Sequence, residues 1–162
     1  MLQAEIHGIR LDVQQNHVVV LRHEERVMFI LVGPAEAEAI YFALIKRDLG
    51  RPMTHDLICN LLAGLRGELR SINIYKLEND TFYAYLDIEQ KAADGSVDQV
   101  LRVDSRPSDG MALAARVGCP IYVAEEVFDQ VAQDESILEA AEPGDDADEP
   151  GDEPEDEPDF DV

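Results

Sequence analysis

Three consecutive segments between residues 68 and 104 constrain the fold of this chain most strongly. Phe82, Ala84, Leu86 and Ile88 alternate with other residues in the middle segment, and Ile72 and Ile74 share a face in the first. This period places the apolar side chains on one face of a β-strand. Two short turn signals, Asn79-Asp80 and Asp94-Gly95, separate the segments, and turns of that length join antiparallel neighbours. The sequence therefore predicts an antiparallel meander with strands at about residues 68–77, 81–91 and 97–104.

The segments around this meander predict further strands and several helices. Residues 2–13 read as a long strand with a bulge at His7-Gly8, where the alternation slips by one residue. Two runs, 18–21 and 27–32, are continuously apolar, unlike a strand with one solvent-exposed face. We therefore expect them to be central in the sheet or covered by a partner. Helices are predicted to begin near Pro34, Thr54, Pro107 and Glu125, and a short strand covers residues 120–124. The predicted fold class is α+β, with a mixed, mostly antiparallel sheet packed with three to four helices in a single compact domain.

The distribution of charge predicts where this domain ends. From Asp134 onward the sequence has 15 Asp and Glu and no Lys or Arg, so residues 1–133 carry a net charge of only -7 out of the total of -22. The final segment is rich in proline and has too little apolar surface to offset the entropy of ordering. We therefore predict a folded domain over residues 1–133 and a disordered acidic tail over residues 134–162.

Composition also bears on the compartment. The N-terminus lacks the pattern of a signal peptide, and no apolar run is long enough to span a bilayer, so we expect a cytoplasmic protein without a membrane partner. Cys59 and Cys119 are far apart in the chain and lie beside apolar residues. They are predicted to be core thiols rather than a disulfide or a zinc site.

Two similar motifs are the strongest candidates for chemistry. Arg51-Pro52-Met53-Thr54-His55-Asp56 and Arg106-Pro107-Ser108-Asp109 each place an arginine and a proline before a hydroxyl residue and an aspartate at a predicted helix start. Helix N-termini with adjacent arginines can receive an anion such as phosphate, and two that converge would form an anion cleft. The alternative is that Thr54 and Ser108 are helix caps and that the aspartates pair with the arginines.

His55 is the histidine best placed for acid-base chemistry, because imidazole exchanges protons near neutral pH. Asp56, Asp104 and Asp109 could instead gather a divalent cation, since carboxylate oxygens suit magnesium or manganese. The sequence contains no Gly-rich phosphate loop, no Gly-x-Ser-x-Gly turn and no His-Glu-x-x-His motif.

The two motifs also carry a resemblance to a known family. Together with Gly33-Pro34-Ala35-Glu36-Ala37, Phe82-Tyr83-Ala84 and Pro120-Ile121-Tyr122-Val123, they make residues 1–133 resemble the bifunctional nuclease domain family of bacteria. The resemblance implies a compact α+β domain, a wedge-like homodimer, and hydrolysis of both DNA and RNA in a groove. The positions that match the family's polar residues are Arg51, Thr54, His55, Asp56, Asp104, Arg106, Ser108 and Asp109.

The first hypothesis from this resemblance is an enzyme, a nuclease with little sequence specificity. His55 would act as general base or acid, and Arg51 and Arg106 would hold the phosphate and its developing charge. Asp56 and Asp109 would orient the histidine or bind a metal ion. The predicted catalytic residues are His55, Asp56, Arg106, Ser108 and Asp109, the predicted substrate-binding residues are Arg51, Thr54 and Arg106, and Asp104 and Asp109 are the predicted ligands of magnesium or manganese.

Two other hypotheses stay open on the sequence alone. The chain could be a non-catalytic dimeric interaction or regulatory domain, since its long apolar strands suit a dimer interface. Its acidic tail would then either mimic nucleic acid or keep the protein soluble. The chain could also be a metabolic enzyme with a small anionic substrate, because a helix N-terminus does not distinguish a nucleotide phosphate from a metabolite.

Overall fold

The computed structural model describes residues 1–140, and these contain eight strands and five helices. The strands are β1 Leu2–Leu11, β2 His17–His23, β3 Arg26–Val32, β4 Gly67–Glu78, β5 Thr81–Lys91, β6 Val97–Ser105, β7 Ile121–Val123 and β8 Gln133–Asp134. The helices are α1 Pro34–Leu44, α2 Thr54–Gly64, α3 Pro107–Val117, α4 Glu125–Val131 and the four-residue α5 Ile137–Ala140. The predicted α+β class is confirmed, and none of the helices in these residues is long and apolar enough to cross a membrane.

The predicted meander forms one half of the sheet. Strands β4, β5 and β6 pair in antiparallel fashion, and their bounds agree with the prediction to within one residue. Asn79 and Asp80 both have positive φ angles, of 49° and 57°, and Gly95 has a φ of 86°. Positive φ angles at a short hairpin turn match the right-handed twist of the two strands that it joins. The alternating pattern and the turn residues therefore determine this half of the sheet.

Strands β1, β2 and β3 form a second antiparallel group. The bulge predicted at His7-Gly8 is confirmed, because the pairing of β1 with β2 shifts register between Ile6 and Gly8. Strand β7 joins the two groups, since it pairs antiparallel to β1 and parallel to β4. The complete order is β6-β5-β4-β7-β1-β2-β3-β8. This single parallel contact makes the sheet mixed but mostly antiparallel, as predicted.

The main core lies between the sheet and the helices. Helix α3 supplies Met111 and Leu113 to it, and strands β4 and β2 supply Ile72 and Leu21, all of which are buried. The apolar run 18–21 lies inside the sheet, as expected, because β2 has a strand along each side. Strand β8 covers β3 only at Arg26 and Val27, so the rest of the run 27–32 lies at the edge of the described sheet, where Leu31 is 65% exposed. Both cysteines are free thiols that are partly buried against this core, as predicted.

The ordered chain extends beyond the predicted domain end at residue 133. Strand β8 pairs with β3 through Asp134 and Arg26, and Leu138 is buried in a second apolar cluster with Val20 and Val27. Because residues 134–140 are rich in acidic side chains, the burial of Leu138 was not predicted from the sequence. This burial anchors the segment. The disorder predicted for residues 134–162 is therefore wrong for 134–140, and residues 141–162 lie outside the described residues.

Helix α3 packs tightly against strand β4. A Cβ atom added to Gly110 would lie 2.7 Å from Cγ2 of Ile72, which is fully buried and β-branched and therefore has no room to rotate away. The same substitution at Gly64, near the end of α2, would meet no atom within 4 Å. Gly110 thus allows α3 to approach the sheet closely.

We expect Gly110→Ala to lower the free energy of unfolding by about 1–2 kcal/mol, because overpacking at Ile72 exceeds the gain in helix propensity. Gly64→Ala serves as the matched control and should leave stability unchanged or raise it by about 0.5 kcal/mol. Urea unfolding of both variants measures the difference. Equal or increased stability of Gly110→Ala would contradict the close contact.

Candidate functional site

The starts of α2 and α3 carry the residues predicted from the two Arg-Pro motifs. Neither hydroxyl residue is the cap, because Met53 and Arg106 occupy the N-cap positions and neither cap makes a side-chain hydrogen bond. The alternative interpretation is therefore wrong for Thr54 and Ser108 as caps, but its expected pairing of arginine with aspartate is confirmed for Arg106 and Asp109. The backbone is extended at both N-caps, so Thr54 is the first residue of its helix and Ser108, which follows Pro107, is the second.

The two helix starts contact each other through His55 and Asp109. Nε2 of His55 lies 3.3 Å from Oδ1 of Asp109, and the imidazole side chain is 12% exposed. Arg106 donates to both carboxylate oxygens of Asp109, at 2.8 Å from Nε and 3.2 Å from Nη2. Its Nη1 atom lies 3.0 Å from Oε1 of Glu36 in the first turn of α1. An imidazole, two carboxylates and an exposed guanidinium therefore form one connected cluster.

The charges in this cluster hold Asp109 in its ionised form. Partial burial acts to raise the pKa of the carboxyl, but hydrogen bonds from Arg106 and His55 outweigh burial and leave the pKa below its usual value. The Arg106 guanidinium is in turn stabilised by Asp109, and then by Glu36, which raises its pKa. An ionised Asp109 can orient the imidazole and stabilise its protonated form.

Asp56 has a different environment from Asp109. Its Oδ1 accepts a hydrogen bond of 2.5 Å from Nε of Arg116, and its Oδ2 accepts one of 2.8 Å from the backbone N–H of Met53. The Arg116 side chain is only 10% exposed and also donates to the carbonyl oxygens of Ala39 and Ala112, each at 2.9 Å. The pKa of Asp56 is lowered, because hydrogen bonding to Arg116 and Met53 outweighs the effect of burial. This aspartate therefore joins helices rather than facing His55.

The two arginines of the motifs line different cavities. Arg51 lines a cleft of about 480 Å³ between the α1–α2 loop and the C-terminal end of α3, together with Asp56 and Arg116. Arg106 and Ser108 line a smaller groove of about 280 Å³ with the end of β3 and the β4–β5 turn. The helix starts thus converge through His55 and Asp109, but the arginines do not share one cleft.

The residues present do not fit a divalent cation. Both oxygens of Asp109 are hydrogen-bonded to Arg106 or His55, and Asp104 is exposed on β6, paired across the strands with Tyr85. Within residues 1–140, no group of three or more His, Cys, Asp or Glu side chains is placed to hold a metal ion. We therefore assign no catalytic step to the magnesium or manganese ion that Asp104 and Asp109 were predicted to bind.

Two residues of the site were not singled out from the sequence. Glu36 contacts Arg106, and Arg116 contacts Asp56, although both lie within segments that carried the family resemblance. Their partners are distant in the chain, so no local spacing pointed to them. An acidic residue in the first turn of α1 and a basic residue in the last turn of α3 also fit ordinary helix-end preferences, which concealed their contacts.

Comparisons with known proteins show which sequences this chain is similar to. A family model described as "Bifunctional nuclease domain" matches residues 18–136, a range that contains both Arg-Pro motifs. Two Mycobacterium tuberculosis proteins, "Uncharacterized protein MT1877" of strain CDC 1551 / Oshkosh and "Uncharacterized protein Rv1829" of strain ATCC 25618 / H37Rv, are each 39% identical over 146 residues. The alignment covers 86% of this chain and 84% of each relative, and the names of these relatives state no activity.

We expect Asp56→Asn to lower the free energy of unfolding by about 1–2 kcal/mol near neutral pH, because Arg116 loses a charged hydrogen-bond partner. The lowered pKa of Asp56 means that its contribution is complete above the ordinary pKa of about 3.9 and is lost as the pH falls through the lower, folded-state value. The difference from the parent should therefore shrink as the pH falls below about 4. Asp98→Asn, a matched change at an exposed position, should have little effect, and equal losses in both variants would contradict the assignment.

Proposed function

Because the chain belongs to the bifunctional nuclease domain family, we propose that it is a nuclease that hydrolyses phosphodiester bonds of DNA and RNA with little sequence specificity. The observation that carries this proposal is the contact of His55 with Asp109, whose carboxylate also binds Arg106. A histidine oriented by a carboxylate beside an exposed cation is a suitable arrangement for acid-base chemistry on an anionic substrate.

The hydrogen bond between His55 and Asp109 selects one tautomer of the imidazole. An ionised Asp109 only accepts hydrogen bonds, so Nε2 carries the proton and Nδ1 carries the lone pair. No hydrogen-bond partner of Nδ1 lies within residues 1–140, so this atom is available to a water molecule. His55 can therefore act as the general base through Nδ1.

In the proposed hydrolysis, His55 first accepts a proton from water and then donates it to the leaving oxygen. As the water oxygen bonds to phosphorus, Nδ1 of His55 takes a proton from the water, and Asp109 stabilises the imidazolium that forms. The exposed face of Arg106 stabilises the charge that develops on the phosphoryl oxygens. The bond between phosphorus and the leaving oxygen breaks, and the imidazolium returns its proton to that oxygen. Asp56 supports this step by positioning α2 through its contact with Arg116.

Low specificity follows from the kinds of residues at the site. Arg51, Arg106 and the helix N-termini are groups that bind phosphate, and contacts to phosphate carry no sequence information. Ser108 lines the groove beside Arg106 and is buried, so we assign it to the wall of that groove rather than to the nucleophile.

The alternative function, a dimeric interaction domain without catalysis, is favoured by the outer face of α2. Leu57, Leu61 and Leu65 recur at intervals of four residues and are 53%, 56% and 63% exposed. Three exposed leucines on one helical stripe form an apolar patch of the kind that mediates association. The edge strand β6 also has no neighbour on its outer side in the described sheet. We propose that a second copy of the chain covers this surface, and a homodimer is compatible with both functions.

We expect His55→Ala and Asp109→Asn each to lower the rate of cleavage of single-stranded and plasmid DNA and of RNA by at least about 100-fold. The matched control is His7→Ala, which changes an exposed histidine on β1 and should retain full activity. Each assay is run with and without EDTA, which also tests the predicted magnesium or manganese dependence. Undiminished cleavage by both site variants would reject the proposed roles.

We expect the parent protein to elute at twice the chain mass of 18.1 kDa and Leu61→Glu to elute as a monomer, because the charge would lie inside the proposed interface. Size-exclusion chromatography with light scattering makes the measurement. Val13→Glu, at another exposed apolar residue, is the control and should remain dimeric. A dimer that persists in Leu61→Glu would place the interface elsewhere.

A further inference from the structure

The distribution of unpaired cations points to a second surface. All 13 Lys and Arg residues lie within residues 1–140, and most of them have a carboxylate within ion-pair distance there. Arg10 and Arg66 lack such a carboxylate but donate to backbone carbonyl oxygens. Lys46, Arg47 and Arg51 have neither kind of partner within these residues. The only cations without a polar protein partner in this part of the chain therefore lie in one loop.

This cation loop, residues 46–51, forms one wall of the 480 Å³ cleft described above, which also includes the C-terminal end of α3. Asp56 pairs with Arg116, and Asp48 accepts a hydrogen bond of 2.7 Å from the backbone N–H of Gly50. Asp48 forms no ion pair with a loop cation in the described residues, so the three cations and one carboxylate of residues 46–51 leave a net charge of +2. An anion that enters the cleft meets three exposed positive side chains.

The loop has a definite arrangement around Arg47. Its guanidinium lies over the ring of Phe42, with the central carbon 4.9 Å from the ring centroid. Stacking on an aromatic face leaves the N–H groups at the edge of the guanidinium free to donate, and their fork matches two oxygens of one phosphate. Arg47 is thus held in place on one side and open on the other.

The cleft lies close to the proposed catalytic histidine. His55 contacts Asp109 at the start of α3, whereas Asp56 contacts Arg116 at its end. The two contact points are seven residues apart on a helix, a distance of about 10 Å. A single strand is more extended than the roughly 3.4 Å axial rise per strand of a duplex, so about two nucleotides cover this distance. One strand can therefore contact both places.

We propose that the cation loop is a docking site for the phosphate backbone of single-stranded nucleic acid, with Lys46, Arg47 and Arg51 as the residues that bind it. The proposal rests on the proposed nuclease function for its choice of ligand. The other polyanion available is the acidic segment 141–162 of the chain itself, which has 12 Asp and Glu and no Lys or Arg. Nucleic acid is favoured over the acidic segment because the loop lies near His55, where a phosphodiester can be hydrolysed and a peptide carboxylate cannot.

The test measures binding without cleavage. The full-length chain with His55→Ala is titrated against a fluorescein-labelled 20-nucleotide single-stranded DNA at several salt concentrations, and anisotropy gives the affinity. The loop variant adds Lys46→Ala, Arg47→Ala and Arg51→Ala. The matched control adds Arg66→Ala, Arg70→Ala and Lys76→Ala, which removes the same charge from exposed positions elsewhere. Thermal unfolding confirms that each variant is folded.

The loop variant should bind at least about tenfold more weakly at low salt, and the slope of log affinity against log salt should fall by about 2, as expected for three lost phosphate contacts. The control should lose no more than about threefold. Equal weakening in both variants would show general attraction only and would overturn the proposal. Unchanged affinity in the loop variant would also overturn it, and is the result expected if residues 141–162 occupy the cleft.

These outcomes are separate from those of the cleavage assays. The His55→Ala background removes the proposed base, so a difference in binding between the loop variant and the control does not depend on hydrolysis. Unchanged DNA binding by the loop variant, together with cleavage that depends on His55, would reject the docking site alone. Selective binding by the loop without any His55-dependent cleavage would reject the nuclease and retain the docking site.

Discussion

The contact of Arg116 with Asp56 determines where His55 lies. Helix α2 has no fully buried residue, so packing holds it to the domain less firmly than it holds α3. Arg116 compensates by joining three helices, through the carboxylate of Asp56 on α2 and the carbonyl oxygens of Ala39 on α1 and Ala112 on α3. A nearly buried guanidinium that lost its carboxylate would leave a costly unpaired charge, so the three helices are fixed relative to one another.

The two aspartates of the motifs consequently have separate tasks. Asp56 and Asp109 look equivalent in sequence, since each follows an Arg-Pro pair at the start of a helix. Both have lowered pKa values, but their partners differ. Asp56 binds an inner arginine and a backbone amide, which makes it a positioning residue for α2. Asp109 binds an exposed arginine and the imidazole, which places it beside the proposed reaction.

The sheet could be predicted from the sequence because its determinants are local. The alternation in residues 68–104, the turn at Asn79-Asp80 and the phase slip at His7-Gly8 each specify structure within a few residues. The order of strands could not be predicted in the same way, because β7 lies between β1 and β4 through contacts over long chain distances.

The site was predicted in part for the same reason. His55 and Asp109 were identified from their motifs, but which residues they contact depends on how α2 crosses α3. Glu36 and Arg116 were missed because their partners are 70 and 60 residues away, respectively. The hydroxyls of Thr54 and Ser108 suggested caps, yet the N-caps are Met53 and Arg106, one and two residues earlier, respectively. Local sequence thus identifies the groups, and tertiary packing decides their roles.

The net charge of -22 does not oppose the binding of a polyanion at the cation loop as strongly as it suggests. Screening limits the reach of exposed charges to about 8 Å at physiological ionic strength, so distant acidic residues act weakly on a ligand in the cleft. Lys46, Arg47 and Arg51 act on it at contact distance. The global charge therefore slows the approach of a nucleic acid, whereas the local cations determine where it binds. At moderate salt the long-range repulsion by the acidic chain is screened, whereas the close contacts with the loop cations persist. A nucleic acid can then reach the cleft and bind there.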